Sequence, residues 1–376
     1  MNVLFACGGT GGHINPAIAV ANIWKERHPD SNILFVGGMS GMEEMLIPKA
    51  GFDLICMHAD GFDRRKNWEG IKNNLRAVST NLKALRKCRK IILEFKPDII
   101  VGTGGYASFP ALLCGAMMKI PTCVHESNAM PGMTTRMLAK WADKVLVCFP
   151  DCKKFYKDPD KLEVVGMPIR REFIYTKKED ARKELGLGDK PLVVSAFGSQ
   201  GAKAMNEAVA ELFLLEQEMN FPFHHIHATG SMGWEWMPSY TKNLGVDTET
   251  TQDIEMLQYI HNMPTLMAAA DVFISRAGAS SCNEIAASGT PCILIPSPNV
   301  TDNHQEKNAR VLADRDAAVL VLEKDCTARE LMDQIQNLLA DRERYNRMSA
   351  TLQSMVIPDC AERVCKIMEQ LIANKE

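Results

Sequence analysis

The chain has 376 residues, 46% of them apolar and 24% charged, with a formal net charge of −3. That is the balance of an ordinary soluble globular protein, long enough for two domains. It excludes a disordered chain and a disulfide-stapled miniprotein and argues against a dedicated nucleic-acid binder. No apolar run reaches the ~20 residues that a membrane-spanning helix needs. The first seven residues carry no basic leader, so no signal peptide is expected. The twelve cysteines form no Cys-x-x-Cys pair, and most lie in apolar runs, as at Cys56, Cys114, Cys123, Cys148 and Cys292. Buried free thiols in a reducing compartment are the expectation.

Short β-branched apolar runs recur along the chain, each followed by glycine or polar residues and then a helical pattern. Residues 3–7, 33–36, 99–101, 121–125 and 144–148 read as one series of strands. Residues 192–197, 224–228, 272–275, 292–295 and 318–321 read as a second. Strands alternating with helices predict βαβ units and parallel sheets, so the fold class is α/β with two doubly wound domains facing a cleft. A polar stretch over residues 151–191 separates the two series, with the boundary near residues 165–170. The expected domains are residues 1–165 and 166–358, followed by a helix over 359–376 (Val364, Ile367, Met368, Leu371) that packs back on the first domain.

Three strand-to-helix loops carry clustered glycines. They are Gly8-Gly9-Thr10-Gly11-Gly12-His13, then Gly104-Gly105-Tyr106-Ala107-Ser108, then Gly198-Ser199-Gln200-Gly201-Ala202. Glycines let backbone N–H groups approach a ligand closely, and a helix start attracts anions. The first helix is expected to open near Asn15-Pro16, with Pro16 in its first turn. A plain tight turn is the alternative for any one loop, but three loops divided between two domains suit one long anionic ligand, or two, bound across the cleft. None fits a dinucleotide fingerprint or a P-loop well: in the first loop Thr10 and His13 fall on glycine places, in the second Gly102, Gly104 and Ala107 give only the Gly-x-Gly-x-x-Ala variant with the next acid, Glu126, a little late, and in the third Lys203 comes one position late.

His125-Glu126-Ser127-Asn128 follows a strand, and with His13 it offers groups able to take a proton from a hydroxyl. Ala279-Ser280-Ser281-Cys282-Asn283-Glu284 reads either as a phosphate-binding helix start or as a capping box, Ser281 with Glu284. Asp302-Asn303-His304-Gln305 reads either as a set of groups for sugar hydroxyls or as a plain polar loop. His224, His225 and His227 lack a supporting carboxylate at ligand spacing and read as core residues. Asp158-Pro159-Asp160 and Asp314-Arg315-Asp316 read as solvated turns rather than metal sites. Residues 63–96 hold eleven Lys or Arg against three acids. With Phe62, Trp68, Ile71, Leu75, Val78, Leu82 and Leu85, they form either a solvated basic helix or a surface for anionic lipid.

In the order Gly-Gly-Thr-Gly-Gly-His, Gly-Gly-Tyr-Ala-Ser-Phe-Pro, His-Glu-Ser-Asn, Gly-Ser-Gln-Gly-Ala, Arg-Ala-Gly-Ala-Ser-Ser-Cys-Asn-Glu and Asp-Asn-His-Gln-Glu-Lys-Asn-Ala, these motifs span nearly the whole chain. The chain closely resembles the glycosyltransferase family 28 enzymes that add N-acetylglucosamine to undecaprenyl-pyrophosphoryl-muramoyl-pentapeptide, lipid I, giving lipid II for peptidoglycan. The resemblance implies a GT-B fold of two Rossmann-like domains, inversion at the anomeric carbon, and no metal or other cofactor. It places UDP-N-acetylglucosamine mainly on the second domain. Ser199 and Ser281 would meet the diphosphate, Ile260 the uracil through its backbone, Glu284 the ribose, and His304 with Gln305 the sugar. Ala279, Ser280, Cys282 and Asn283 would complete that helix-start site, and Arg170 would approach the donor.

Thr10, Gly11, Gly12 and Asn128 match first-domain positions that meet donor sugar or acceptor. Gly8, Gly9, Gly104, Gly105, Tyr106 and Ser108 belong to the loops that would cradle the acceptor pyrophosphate. His13 is the first choice for general base and Glu126 the second. The resemblance further implies a peripheral place on the cytoplasmic face of the plasma membrane, an anionic membrane surface as partner, no nucleic acid, and association with other cell-wall synthesis proteins. Phe197 stands where the family usually has another glycine, and Ser127 where it usually has Gln. A related transferase with a diacylglycerol or natural-product acceptor, or a UDP-sugar sensor using only the donor half, are the competing readings.

Overall fold

Parallel strand pairing organises the chain into two separate sheets in the computed structural model, which describes residues 1–39, 41–61, 67–248 and 250–375. Two compact units result, one of residues 1–169 with 359–376 and the other of residues 170–358. In the first unit β1 (Asn2–Cys7), β2 (Asn32–Gly38), β3 (Asp53–Met57), β4 (Ile99–Gly104), β5 (Thr122–Glu126), β6 (Lys144–Val147) and β7 (Leu162–Val164) pair in the order β3-β2-β1-β4-β5-β6-β7. In the second unit β8 (Leu192–Ala196), β9 (His224–Ala228), β10 (Ile254–Leu257), β11 (Val272–Ser275), β12 (Cys292–Leu294) and β13 (Val319–Leu320) pair as β10-β9-β8-β11-β12-β13. The two doubly wound parallel sheets expected from sequence are present.

Both sheets reverse their winding at one seam, β1 beside β4 and β8 beside β11. In open parallel sheets, ligands bind beyond the carboxyl ends of the strands at such a switch point. The chain leaves those four strands through the three glycine loops and through Arg276-Ala277-Gly278. Four of the loops singled out by composition therefore lie where the topology makes a site.

Three strands escape the apolar-run pattern. β3 and β10 are sheet edges with one buried residue each, Met57 and Ile254, and β7 has three residues, Leu-Glu-Val, inside the stretch that reads as polar linker. Edge strands need no continuous apolar run, because one flank faces solvent.

The helix α1 spans Gly11–Arg27, so it opens four residues before the expected Asn15-Pro16. Thr10 is extended and its carbonyl accepts from the N–H groups of His13 and Ile14, which starts the helix within the glycine run. Pro16 consequently lies inside the helix and removes the bond that the Gly12 carbonyl would otherwise accept. Next come α2 (Glu43–Lys49), α3 (Trp68–Phe95) and α4 (Ser108–Met117). Stacked Phe5 and Phe35, 5.1 Å apart, and fully buried Trp24 anchor the first core.

The helix Cys360–Ala373 joins the first unit. It buries Val364, Cys365 and Met368, and its Glu369 accepts from Arg27 Nη2 at 2.8 Å at the end of α1. Each such apolar side chain contributes roughly 1.5–3 kcal/mol of burial. All twelve cysteines are unpaired and ten are buried. Burial pushes thiols such as Cys123 and Cys282 up to about 12, so they are inert side chains of the core.

Candidate active site

In the first unit the two glycine loops are locked together through His13. Its Nδ1 lies 3.0 Å from the Thr103 carbonyl, and Thr103 Oγ1 donates back to the His13 carbonyl at 2.6 Å. A carbonyl oxygen can only accept, so Nδ1 carries the proton and Nε2 holds the lone pair of the neutral ring. The half-buried imidazole thus has the tautomer a general base needs. Gly104 has φ +111°, and a Cβ there would stand 2.5 Å from His13 Nδ1, so only glycine admits the ring. A Cβ on Gly105 would strike the Gly8 carbonyl.

Of the expected loop residues, Thr10 and Tyr106 are exposed, and Gly11 and Gly12 are partly so. Ser108 is fully buried and its hydroxyl donates to the Gly105 carbonyl at 2.7 Å, so it shapes the loop from inside. Gly8 is buried, and the Gly9 amide donates to Glu43 at 3.3 Å. Sequence reading missed Glu43, whose carboxylate reaches this loop from α2.

Glu126 also proves to be occupied. Its Oε1 accepts from the Asn128 backbone N at 2.9 Å and from Asn128 Nδ2 at 3.1 Å, and its Oε2 accepts from Gly132 N at 2.9 Å. Taking a substrate proton would break contacts that shape the loop. His125 donates from Nε2 to the Gly166 carbonyl at 2.8 Å, while Nδ1 is buried with no hydrogen-bond partner among the described residues. Burial lowers its affinity for a proton, against the pull of that bond and of Glu126. Ser127 is buried.

In the second unit, Ser199 and Gln200 are exposed where the third loop enters the helix Lys203–Glu218. Phe197 is 4% exposed, with its ring 6.0 Å from that of His227, so its side chain faces the core and not the open side of the loop. The helix after β11 spans Ala279–Ser288 with Gly278 as N-cap and no side-chain cap. This overturns the capping-box reading, since Ser281 and Glu284 both lie inside the helix. The N–H groups of Ala279, Ser280 and Ser281 have no carbonyl within the helix to bond. Ser280 Oγ is buried without a hydrogen-bond partner among the described residues.

Cys282 is buried and its amide donates to Gly278, while Asn283 Nδ2 donates to the Ala279 carbonyl at 2.8 Å. Burial raises the Glu284 carboxyl above its ordinary value, and the charge of Arg170 opposes that rise. Ile260 is buried, which leaves its main chain as the group able to meet a base. Gln305 Oε1 accepts from Ser297 N at 2.9 Å, and His304 Nδ1 donates to the Thr301 carbonyl at 2.8 Å. Both side chains are thereby oriented.

The strand histidines form a buried chain. Glu216 Oε1 meets His225 Nδ1 at 2.7 Å, His225 Nε2 meets Ser195 Oγ at 2.8 Å, and Ser195 Oγ meets His227 Nδ1 at 2.7 Å. Burial drives Glu216 toward its neutral form and His227 well toward its own. Spacing along the chain hid Glu216, which comes from the neighbouring helix. Among the described residues, no group of three His, Cys, Asp or Glu side chains is placed to hold a metal ion. Asp158 accepts from the Asp160 amide in a short turn.

Two family models match consecutive stretches, the glycosyltransferase family 28 N-terminal domain over residues 3–147 and the family's C-terminal domain over residues 192–364. A protein of Acetivibrio thermocellus is 41% identical over 100% of this chain and 99% of its own length. It is named UDP-N-acetylglucosamine–N-acetylmuramyl-(pentapeptide) pyrophosphoryl-undecaprenol N-acetylglucosamine transferase. The crystal structure of Acinetobacter baumannii MurG superimposes with a TM-score of 0.76 at 27% identity, covering 98% of this chain and 99% of that one. A calicheamicin glycosyltransferase shares the fold at 16% identity and a TM-score of 0.69, covering 99% of this chain and 98% of that one.

Proposed function

The chain belongs to glycosyltransferase family 28, and from that premise we propose that it transfers N-acetylglucosamine from UDP-N-acetylglucosamine to undecaprenyl-pyrophosphoryl N-acetylmuramyl-pentapeptide, forming lipid II. The carrying observation is 41% identity over the full length with a transferase of that name. The presence of both glycine loops of the first unit favours this reading over a sensor that needs the donor half alone.

In the proposed reaction the muramyl 4-hydroxyl attacks the anomeric carbon from the face opposite UDP and inverts it. His13 Nε2 takes the hydroxyl proton while Nδ1–H stays on the Thr103 carbonyl. The second unit, residues 170–358, holds the donor. Glu284 accepts from the ribose hydroxyls, the main chain at Ile260 meets uracil, and His304 and Gln305 read the sugar. Backbone N–H groups of Ala279, Ser280 and Ser281, with the hydroxyls of Ser199 and Ser280, receive the charge that develops on the departing diphosphate. Such fixed dipoles are already oriented when the charge appears. The acceptor diphosphate sits at Gly11 and Gly12, and Tyr106 and Asn128 border it. Label transfer from UDP-[14C]N-acetylglucosamine to the lipid-linked muramyl acceptor tests the reading. A diacylglycerol accepting in its place would give the alternative transferase, and binding without transfer to either would give the sensor.

The same reading places the enzyme on the cytoplasmic face of the plasma membrane, held there by α3. Trp68, Ile71, Leu75, Val78 and Leu82 recur at alternating spacings of three and four residues and are all exposed, Trp68 by 80% and Leu75 by 69%. A contiguous exposed apolar row marks an interaction surface. Lys72, Arg76, Lys83, Arg86 and Lys90 flank it. Residues 62–66, which begin the basic segment, lie outside the described residues, and no described helix is long and apolar enough to cross a membrane. Each cation near an anionic surface contributes about 1 kcal/mol. Reversing Lys83, Arg86 and Lys90 together should weaken sedimentation with phosphatidylglycerol vesicles by more than about 100-fold, and salt should weaken that of the wild type. Unchanged sedimentation of the triple variant would remove α3 from the membrane.

A further inference from the structure

We propose that Glu43 is a positioning residue of the acceptor loop: its buried carboxylate draws the Gly9 amide inward and holds residues 8–12 in the shape that presents Gly11, Gly12 and His13. The inference rests on the transferase reading for its kinetic consequence but not for its structural one. Glu43 is the first residue of α2 and is 1% exposed. Its Oε1 accepts from Gly38 N at 2.7 Å, and Gly9 N lies 3.3 Å from each carboxylate oxygen. One side chain thereby ties the end of β2 to the loop after β1.

The surrounding sequence is fitted to that carboxylate. A Cβ at Gly8, Gly37 or Gly38 would stand 2.9, 2.8 or 2.7 Å from Glu43 atoms, and one at Gly41 closer still. Four side chains are given up around one buried carboxyl group, and the amides of Gly38 and Gly9 supply it with hydrogen bonds. The charge is felt nearby, since the thiol of Cys7 is pushed up first by burial and then by Glu43.

The consequence revises the acceptor site. Gly9 N–H faces a carboxylate of the protein itself, so it is not the donor that an incoming diphosphate meets. The donors at the end of β1 that remain for a ligand include those of Gly11 and Gly12, the first two residues of α1, at the positive end of that helix. Thr10, extended between the two sets, separates the inward amide from the outward ones. Glu43 therefore sets where the acceptor phosphates lie relative to His13, although it touches neither.

The test is Glu43→Gln, which keeps the shape but leaves one oxygen to accept and turns an NH2 group toward a backbone N–H. A displacement of the loop by about an ångström can cost on the order of 100-fold in rate. The expected result is a 10- to 100-fold fall in kcat/KM for the lipid-linked acceptor with the KM for UDP-N-acetylglucosamine within twofold. Glu43→Asp, which retains the charge on a shorter stem, should fall in between. Hydrogen–deuterium exchange of the peptide covering residues 3–15, without any substrate, should be faster in Glu43→Gln. Wild-type exchange in that peptide would overturn the positioning role whatever the reaction proves to be. Faster exchange with equal losses on donor and acceptor sides would reduce Glu43 to a stability residue. Failure of the wild-type chain to transfer label would count against the transferase reading and leave the exchange result to decide the loop.

Discussion

Replacing His13 with alanine should lower kcat by about 10²- to 10⁴-fold, the usual worth of a positioned general base, while the KM for UDP-N-acetylglucosamine stays within twofold. The asymmetry follows from the geometry. His13 belongs to the first unit, whereas Glu284, Gln305 and the helix start at Ala279 belong to the second. The assignment to Nε2 follows from Thr103, whose carbonyl lies 3.0 Å from Nδ1 and accepts whatever proton that nitrogen carries. His13→Asn is the informative companion, because its amide can imitate the Nδ1–H donor but supplies no base. If the asparagine variant turned over at the wild-type rate, His13 would be a loop-holding residue. Glu126 would then return as the candidate despite its three N–H donors.

The loops around the site were legible because their signal is local. An apolar strand, a glycine run and a helix start are contiguous in sequence, and both sheets and all four switch-point loops follow from them. What escaped depends on contacts between distant segments. Glu43 belongs to no motif along the chain, and it gains a role only when β2 and the Gly9 loop are brought around it. Glu216 lies nine residues before His225, at a spacing no ligand pattern uses, and meets it only because helix Lys203–Glu218 packs on β9.

Two local patterns also misled. Pro16 suits a first helical turn so well that it moved the expected start of α1 past the glycines, and Ser281 with Glu284 satisfies the capping-box spacing one turn inside a helix capped by Gly278. In both places small residues extend the helix closer to its strand than propensity predicts. The gain is a helix N-terminus with unpaired donors directly beyond the sheet.

Replacing Glu284 with alanine should weaken binding of UDP-N-acetylglucosamine by about 10- to 100-fold in calorimetry, since hydrogen bonds to a charged group are worth roughly 1.5–3 kcal/mol. The pH dependence makes the prediction specific. Burial raises the Glu284 carboxyl above the ordinary glutamate value, and Arg170 opposes that rise. The ionised form accepts from both ribose hydroxyls, whereas the protonated form loses part of that capacity. Affinity should therefore be full above the raised value and decline as pH falls through it, at a higher pH than for an exposed glutamate. Removing the cation in Arg170→Ala should move the decline to still higher pH, even though Arg170 itself is exposed. Glu284→Gln should bind more weakly than wild type but with that acid limb abolished. An acid limb that persists in Glu284→Gln, or fails to move in Arg170→Ala, would take the ribose from Glu284 and assign the titration to another group of the second unit.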